Sequence, residues 1–119
     1  MNYTSPQIVA AFLDANELVG WSARSYTTEE SDQVHFTCPS TLVKLVYDCR
    51  EGCFLVTFQK LVAGWGDYTK AIARACHYVL KTLQAGGLDF TPPEDETKIA
   101  ITVYLGKHGQ TKVHVAPSI

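Results

Sequence analysis

Hydrophobic and polar positions follow two different periods along the chain, and the change of period separates helices from strands. Near the N-terminus, apolar side chains recur every three or four residues, which is the spacing of one helix face. Pro6 suits the first helical position after a Ser5 cap. Thr4 with Gln7 offers a competing capping box one residue earlier. The pattern therefore predicts a first helix that ends near Asn16.

Four short segments with strand character follow this helix. These segments contain more apolar, β-branched and aromatic residues than the polar linkers between them. They span residues 18–26, 34–38, 42–47 and 54–59. The last two are joined by a tight turn in which Gly52 supplies a positive φ angle. Because consecutive strands usually lie side by side, these segments predict an antiparallel meander.

A long helix and a closing hairpin complete the predicted fold. The helix begins at an Asp67 cap, runs to about Gln84 and is terminated by Gly86 and Gly87. Alternating apolar positions over 99–105 and 111–116 predict two more strands. The element order α-β-β-β-β-α-β-β favours a single α+β domain over residues 1–119. We expect an antiparallel sheet of about six strands with both helices packed on one face.

The composition is that of a globular protein for a reducing compartment. The chain has 119 residues, of which 46% are hydrophobic and 18% charged. It shows neither the basic and apolar regions of a signal peptide nor an apolar run of the roughly 18 residues that suggest a membrane span. We therefore expect a soluble cytoplasmic protein without a membrane partner, in which the four cysteines remain thiols.

With a formal net charge of −2, the protein has no overall positive charge that would attract nucleic acid, but its charged residues are unevenly distributed. Residues 1–43 contain five acidic residues and one basic residue. Residues 44–87 contain six basic and three acidic residues. Such a separation favours a protein with distinct acidic and basic contact surfaces.

The basic surface lies on the long helix. Lys70, Arg74, His77 and Lys81 recur at i, i+4, i+7 and i+11, with Tyr78 beside them, and we call these five residues the basic stripe. No acidic residue follows the first turn of the helix to neutralise them. An ordinary solvated helix face explains the same pattern. As a binding surface, the stripe would attract an acidic protein or a phosphate backbone.

Two short acidic segments are the second candidate contact surface. Solvated loops explain them equally well, and consecutive carboxylates do not converge on a metal ion without a turn. If they have a role, docking onto a basic surface or mimicry of nucleic-acid charge fits their chemistry. Their residues are Glu29, Glu30, Asp32, Glu94, Asp95 and Glu96.

The cysteines are the only candidates for metal or nucleophile chemistry. Cys49 and Cys53 flank the predicted hairpin turn and, with Cys38 and a histidine, could make a tetrahedral zinc site, but their spacing is not that of a zinc knuckle. Cys76 lies on the apolar stripe of the long helix. It is adjacent to His77, so their side chains diverge by about 100°. We expect structural thiols, no metal, no cofactor and no catalytic residue.

Three functions remain compatible with these patterns. The leading hypothesis is a small non-enzymatic protein-binding regulator or inhibitor, a class that includes phage proteins directed against host enzymes or defence systems. The second is a nucleic-acid-binding module that uses the basic face of the long helix. The third is a small-molecule-binding domain or an enzyme with a cysteine-containing site. A homodimer is compatible with all three, because an uncovered sheet edge can pair with a second copy.

Overall fold

Two helices and an antiparallel meander form the centre of the molecule. The computed structural model describes residues 3–37, 43–58, 65–92, 94–95, 99–105 and 111–117. Its elements in chain order are α1 (Ser5–Ala15), β1 (Ser22–Thr27), β2 (Asp32–Thr37), β3 (Val43–Asp48), β4 (Cys53–Phe58), α2 (Trp65–Ala85), β5 (Ile99–Leu105) and β6 (Thr111–Pro117).

Strands β1 to β4 pair in sequence order, each antiparallel to the next, over six, five and six residue pairs. Strand β6 lies beside β4, and β5 lies beyond β6. The described register between β4 and β6 consists of one pair, Phe54 opposite Val115. The α+β class, the two helices and the four-stranded antiparallel meander are thus confirmed, whereas a continuous sheet of about six strands stays a prediction.

Both helices contribute to one hydrophobic core. Helix α1 contacts β1 and β2, α2 contacts β3, and the two helices contact each other. Because strand side chains alternate between faces, one face of the meander supplies every second residue to this core. The largest of the fully buried side chains are Ile8, Phe12, Val34, Phe36, Leu45, Ile72, Val79 and Leu83.

The start of α1 shows how tertiary contacts overrule a local signal. Thr4, not Ser5, is the N-cap residue, and its backbone N–H donates to Gln7 Oε1 at 2.9 Å. The prediction of Ser5 as the cap is therefore wrong. The Ser5 side chain is fully buried and its hydroxyl hydrogen-bonds with the Ser25 hydroxyl on β1, so it attaches the helix to the sheet.

The turn between β3 and β4 forms as the sequence predicts. Asp48 Oδ1 accepts hydrogen bonds from the backbone N–H groups of Arg50 and Glu51, each at 3.0 Å. Gly52 completes the turn with a φ of 67°. A side chain is strained at that backbone angle, which is why a glycine stands there.

The predicted starts of β1 and α2 differ from the structure. Strand β1 begins at Ser22 rather than near Leu18, because the residues before it form a turn. Helix α2 begins at Trp65, two residues before the predicted Asp67 cap, so Asp67 lies within the first helical turn. In both cases the element type is confirmed and only its start is wrong.

Helix α2 ends in a Schellman motif. The Leu88 N–H donates to the Leu83 carbonyl at 3.1 Å, and the Gly87 N–H donates to the Gln84 carbonyl at 3.0 Å. Gly87 has a φ of 94°. The preceding Gly86 lies so close to α1 that a Cβ atom there would be 2.4 Å from the Ala11 carbonyl oxygen. This contact sets the distance between the two helices.

We predict that Gly86→Ala destabilises the protein by about 2–3 kcal/mol, because its methyl group would force α1 away from α2. Gly87→Ala is the control. Its Cβ meets no atom within 4 Å, so only the backbone strain of about 1–2 kcal/mol should remain. Urea unfolding of both variants measures the difference. Equal destabilisation would contradict the helix-contact explanation.

Candidate protein-binding surface

The basic stripe lies on the outward side of α2. Lys70, Arg74 and Lys81 are exposed, and His77 is half-buried. The opposite side of the helix supplies buried residues to the core. The structure thus places three fixed positive charges along one solvent-facing line.

Tyr78 lies at the edge of the stripe and also packs inward. Its ring is half-buried and lies 5.3 Å from the Trp21 ring and 6.3 Å from the Phe12 ring, centroid to centroid. Its hydroxyl donates a hydrogen bond to Asn16 Oδ1. Tyr78 therefore joins the stripe to the segment between α1 and β1.

That segment exposes two aliphatic residues on a backbone held by hydrogen bonds. Asn16 Nδ2 donates to the Leu18 carbonyl at 3.2 Å, and the Leu18 N–H donates to Asn16 Oδ1 at 3.3 Å. Gly20 closes the turn with a φ of 101°. Leu18 is 52% exposed and Val19 is fully exposed. We call residues 16–21 the Leu18–Val19 loop.

The loop and the stripe adjoin at Tyr78. Arg74 and Lys81 are four residues before and three residues after Tyr78, and residues at these spacings are neighbours on a helix surface. The hydrogen bond from Tyr78 to Asn16 brings the loop to the same place. Tyr78 thus joins the exposed Leu18 and Val19 to the helix that carries the basic stripe, and the exposed Glu17 adds one negative charge within the loop itself.

Sequence reasoning missed the loop because Leu18 and Val19 read as the start of a strand. Turn-forming residues enclose them, Asn16 before and Gly20 after. Such residues favour a turn through side-chain bonds to the backbone and through positive φ angles. That signal was present in the sequence and was outweighed by the apolar content of the segment.

The acidic residues divide into exposed ones and one with structural contacts. Glu29 and Glu30 are exposed between β1 and β2, and Glu94 and Asp95 are exposed after α2. Glu96 lies outside the described residues. The Glu29 carbonyl accepts a hydrogen bond from Arg50 Nη1 at 3.1 Å, so the turn between β1 and β2 contacts the turn between β3 and β4.

Asp32 is engaged in hydrogen bonds within the fold. Its Oδ2 accepts the Ser5 N–H at 3.0 Å, its Oδ1 accepts the Thr27 hydroxyl at 2.8 Å, and its carbonyl accepts the Cys49 N–H at 2.8 Å. Partial burial raises the pKa of Asp32, but the bonds from Ser5 and Thr27 and the charge of Arg50 outweigh it, so that the pKa is lowered overall. The ionised carboxylate stabilises the helix start and the neighbouring turn.

The exposed ring of Tyr26 lies on the sheet face opposite the core. Tyr26 is 47% exposed, and its ring centroid is 4.1 Å from the His35 ring centroid. Lys44 Nζ lies 5.8 Å from the centroid of the Tyr26 ring. His35 Nε2 hydrogen-bonds with Gln33 Oε1 at 3.1 Å, whereas its Nδ1 is buried without a hydrogen-bond partner among the described residues. Partial burial, then the charge of Lys44, lowers the pKa of His35, which favours its neutral form.

The described cysteines have the environment of structural thiols. Cys49 and Cys76 are buried, and Cys53 is half-buried. Burial, then the charges of Asp32 and Asp48, raises the pKa of Cys49 to about 11, and burial alone raises that of Cys76. Within the described part of the chain, no three His, Cys, Asp or Glu side chains form a group that could hold a metal ion. The proposed zinc ligand Cys38 lies outside the described residues.

We predict that Cys49 and Cys76 resist thiol reagents in the native protein, because a reagent attacks the thiolate and both thiols are buried with raised pKa values. Mass spectrometry of peptides after timed alkylation would locate the labelled residues. Both should react much faster in urea, which serves as the control. Rapid native labelling of either residue would contradict its burial.

No family model, curated protein or solved structure matches this chain. Neither helix in the described part of the chain is long and apolar enough to cross a bilayer. The surface itself is therefore the basis for a functional proposal.

Proposed function

We propose that this chain is a non-enzymatic protein-binding module, a small regulator or inhibitor that contacts an acidic partner through the Leu18–Val19 loop and the basic stripe. The observation that carries the proposal is the exposure of Leu18 and Val19 on a loop whose backbone Asn16 holds in place. Aliphatic side chains displayed in this way gain free energy when a partner removes them from water.

The geometry of the loop favours binding for an entropic reason. A flexible loop loses conformational freedom when it binds, whereas a loop already fixed by hydrogen bonds loses little. Asn16 bonds both to the loop backbone and to Tyr78, so the loop is fixed relative to α2 as well. The exposed lysines of the stripe then add electrostatic attraction, which raises the association rate.

The proposal includes a cytoplasmic location. Cys49 and Cys76 are thiols in the structure, as expected for a reducing compartment. Their raised pKa values disfavour Cys49 and Cys76 as the nucleophile of an enzyme. An inhibitor of the kind that phages direct against host enzymes is one form of this proposal.

We predict that Leu18→Asp combined with Val19→Asp reduces recovery of the partner at least about tenfold, since the apolar contact is replaced by carboxylates. The measurement is affinity capture from the producing cells with quantitative mass spectrometry. Thr91→Asp is the control, because Thr91 is exposed and lies outside the loop, the basic stripe and α1. It should retain the same partner at wild-type yield.

Two outcomes would contradict this proposal. One is the absence of any stoichiometric partner of the wild-type protein. The other is equal recovery by the wild type and the loop variant. Circular dichroism of each variant would establish that the fold is kept.

Nucleic-acid binding is a second candidate function, and the exposure of Lys70, Arg74 and Lys81 favours it. Lys81 follows Lys70 by eleven positions along the helix, so the line is about 16 Å long. Contacts of this kind with phosphate groups bind without sequence preference.

If nucleic acid binds the stripe, we predict that affinity for a short oligonucleotide falls steeply with salt. Each of Lys70→Gln and Lys81→Gln should lower the log–log salt slope by about one. Lys44→Gln, on the meander, is the control and should leave the slope unchanged. Fluorescence anisotropy provides the measurement. A lack of binding at low ionic strength would eliminate this function.

A further inference from the structure

The meander ends in an uncovered strand. In the described sheet order, β1 has a neighbour on one side only, β2. The last four of its six residues are exposed, and it contains no proline that would oppose pairing. Its outer backbone N–H and C=O groups are therefore available to another strand.

Helix α1 carries a second apolar stripe besides the one it buries in the core. Pro6, Val9, Ala10 and Leu13 recur at i, i+3, i+4 and i+7, which places them on one side of the helix. Pro6, Ala10 and Leu13 are exposed, and Val9 is half-buried. We call these four residues the α1 apolar stripe. Its spacing is that of a helix that packs against another helix.

The α1 apolar stripe lies above the edge of β1. Ala11 faces α2, where its carbonyl would meet a Cβ at Gly86, and the stripe lies on the other side of α1. Helix α1 covers β1 and β2, while α2 contacts β3. The side of α1 that faces away from α2 is thus the side on which the sheet ends. The free strand and the α1 apolar stripe are thus on the same side of the molecule.

We propose that a second copy of this chain occupies this surface, so that two β1 strands pair antiparallel and the two α1 apolar stripes pack against each other. A two-fold axis beside β1 generates both contacts at once, because each surface then meets its own equivalent. A partner of another sequence would need both a free strand and an apolar helix at the same spacing. A second copy supplies both by symmetry.

The residues of β1 favour one register. Residues directly opposite each other in an antiparallel pair lie on the same face of the sheet. When a strand pairs with a second copy of itself, the two-fold axis therefore passes through one residue position. Centring on Arg24 places two guanidinium groups opposite each other, which is repulsive. Centring on Ser25 retains five residue pairs and places each Arg24 opposite Tyr26 of the second copy. That arrangement avoids the repulsion between the two Arg24 side chains and places each of them beside an exposed Tyr26 side chain on the open face of the sheet.

Sedimentation over a range of protein concentrations tests the dimer. We expect a species of about twice 13.1 kDa. Leu13→Glu should raise the dissociation constant of the dimer at least about tenfold, because the substitution places two carboxylates between the α1 apolar stripes. Gln84→Glu is the control, since it adds the same charge at an exposed position on α2 and should leave the dissociation constant unchanged.

Disulfide trapping tests the register. Arg24→Cys and Tyr26→Cys should each fail to cross-link alone, and a mixture of the two should form a 24–26 disulfide under mild oxidation, because these positions oppose each other across the two-fold axis. Mass spectrometry of the linked peptides distinguishes this bond from any made by the native cysteines. A self-linked Arg24→Cys protein would overturn the Ser25-centred register.

A 13.1 kDa species at every concentration would overturn the dimer altogether. So would a dimer that Leu13→Glu leaves unchanged, since its contact would lie elsewhere. Neither result bears on the partner proposed for the Leu18–Val19 loop, because that proposal is tested by variants of Leu18 and Val19.

Discussion

The fully buried ring of Phe12 is the contact on which the arrangement of the whole molecule depends. It lies 5.0 Å from the Phe36 ring of β2 in an edge-on arrangement, 6.2 Å from the Trp21 ring and 6.3 Å from the Tyr78 ring of α2. Aromatic pairs of this geometry contribute about 0.5–1.5 kcal/mol each beyond the burial of their area. One side chain therefore fixes α1 against the sheet, against α2 and against the start of β1.

The polar contacts of Asp32 hold the opposite end of the same helix. Its carboxylate accepts hydrogen bonds from Ser5 at the start of α1 and from Thr27 at the end of β1. With Phe12 near one end and Asp32 at the other, α1 is fixed along its length. Both proposed surfaces follow from this. The loop follows the C-terminal end of α1, and the side of α1 that faces away from α2 is turned toward the β1 end of the sheet.

The two proposed surfaces contain different exposed apolar residues. Leu18 and Val19 project beside the basic stripe, where an acidic protein would be attracted, while Leu13 belongs to the α1 apolar stripe above β1. A dimer through β1 would carry two copies of the loop. A partner with repeated binding segments would then bind more tightly through increased effective concentration, without any additional type of contact.

The residue pattern alone predicted the element order, the Gly52 turn and the end of α2 at Gly86 and Gly87, because periodicity and backbone preferences act over a few neighbouring residues. It also placed Lys70 and Lys81 on a solvent-facing line. The local signals at α1 were ambiguous, since either Thr4 or Ser5 could cap the helix.

Only the tertiary structure decided how those residues are used. Ser5 is not the cap residue, because its hydroxyl hydrogen-bonds with the Ser25 hydroxyl on β1. The Tyr78 ring packs inward, because it contacts the Phe12 and Trp21 rings. The exposure of Leu18 and Val19 depends on Asn16, which bonds at once to its own loop and to a residue 62 positions away. Contacts between distant segments leave no periodic trace in a single sequence. The sequence by itself therefore determined the elements, and the packing around Phe12 decided which of their faces remain available for binding.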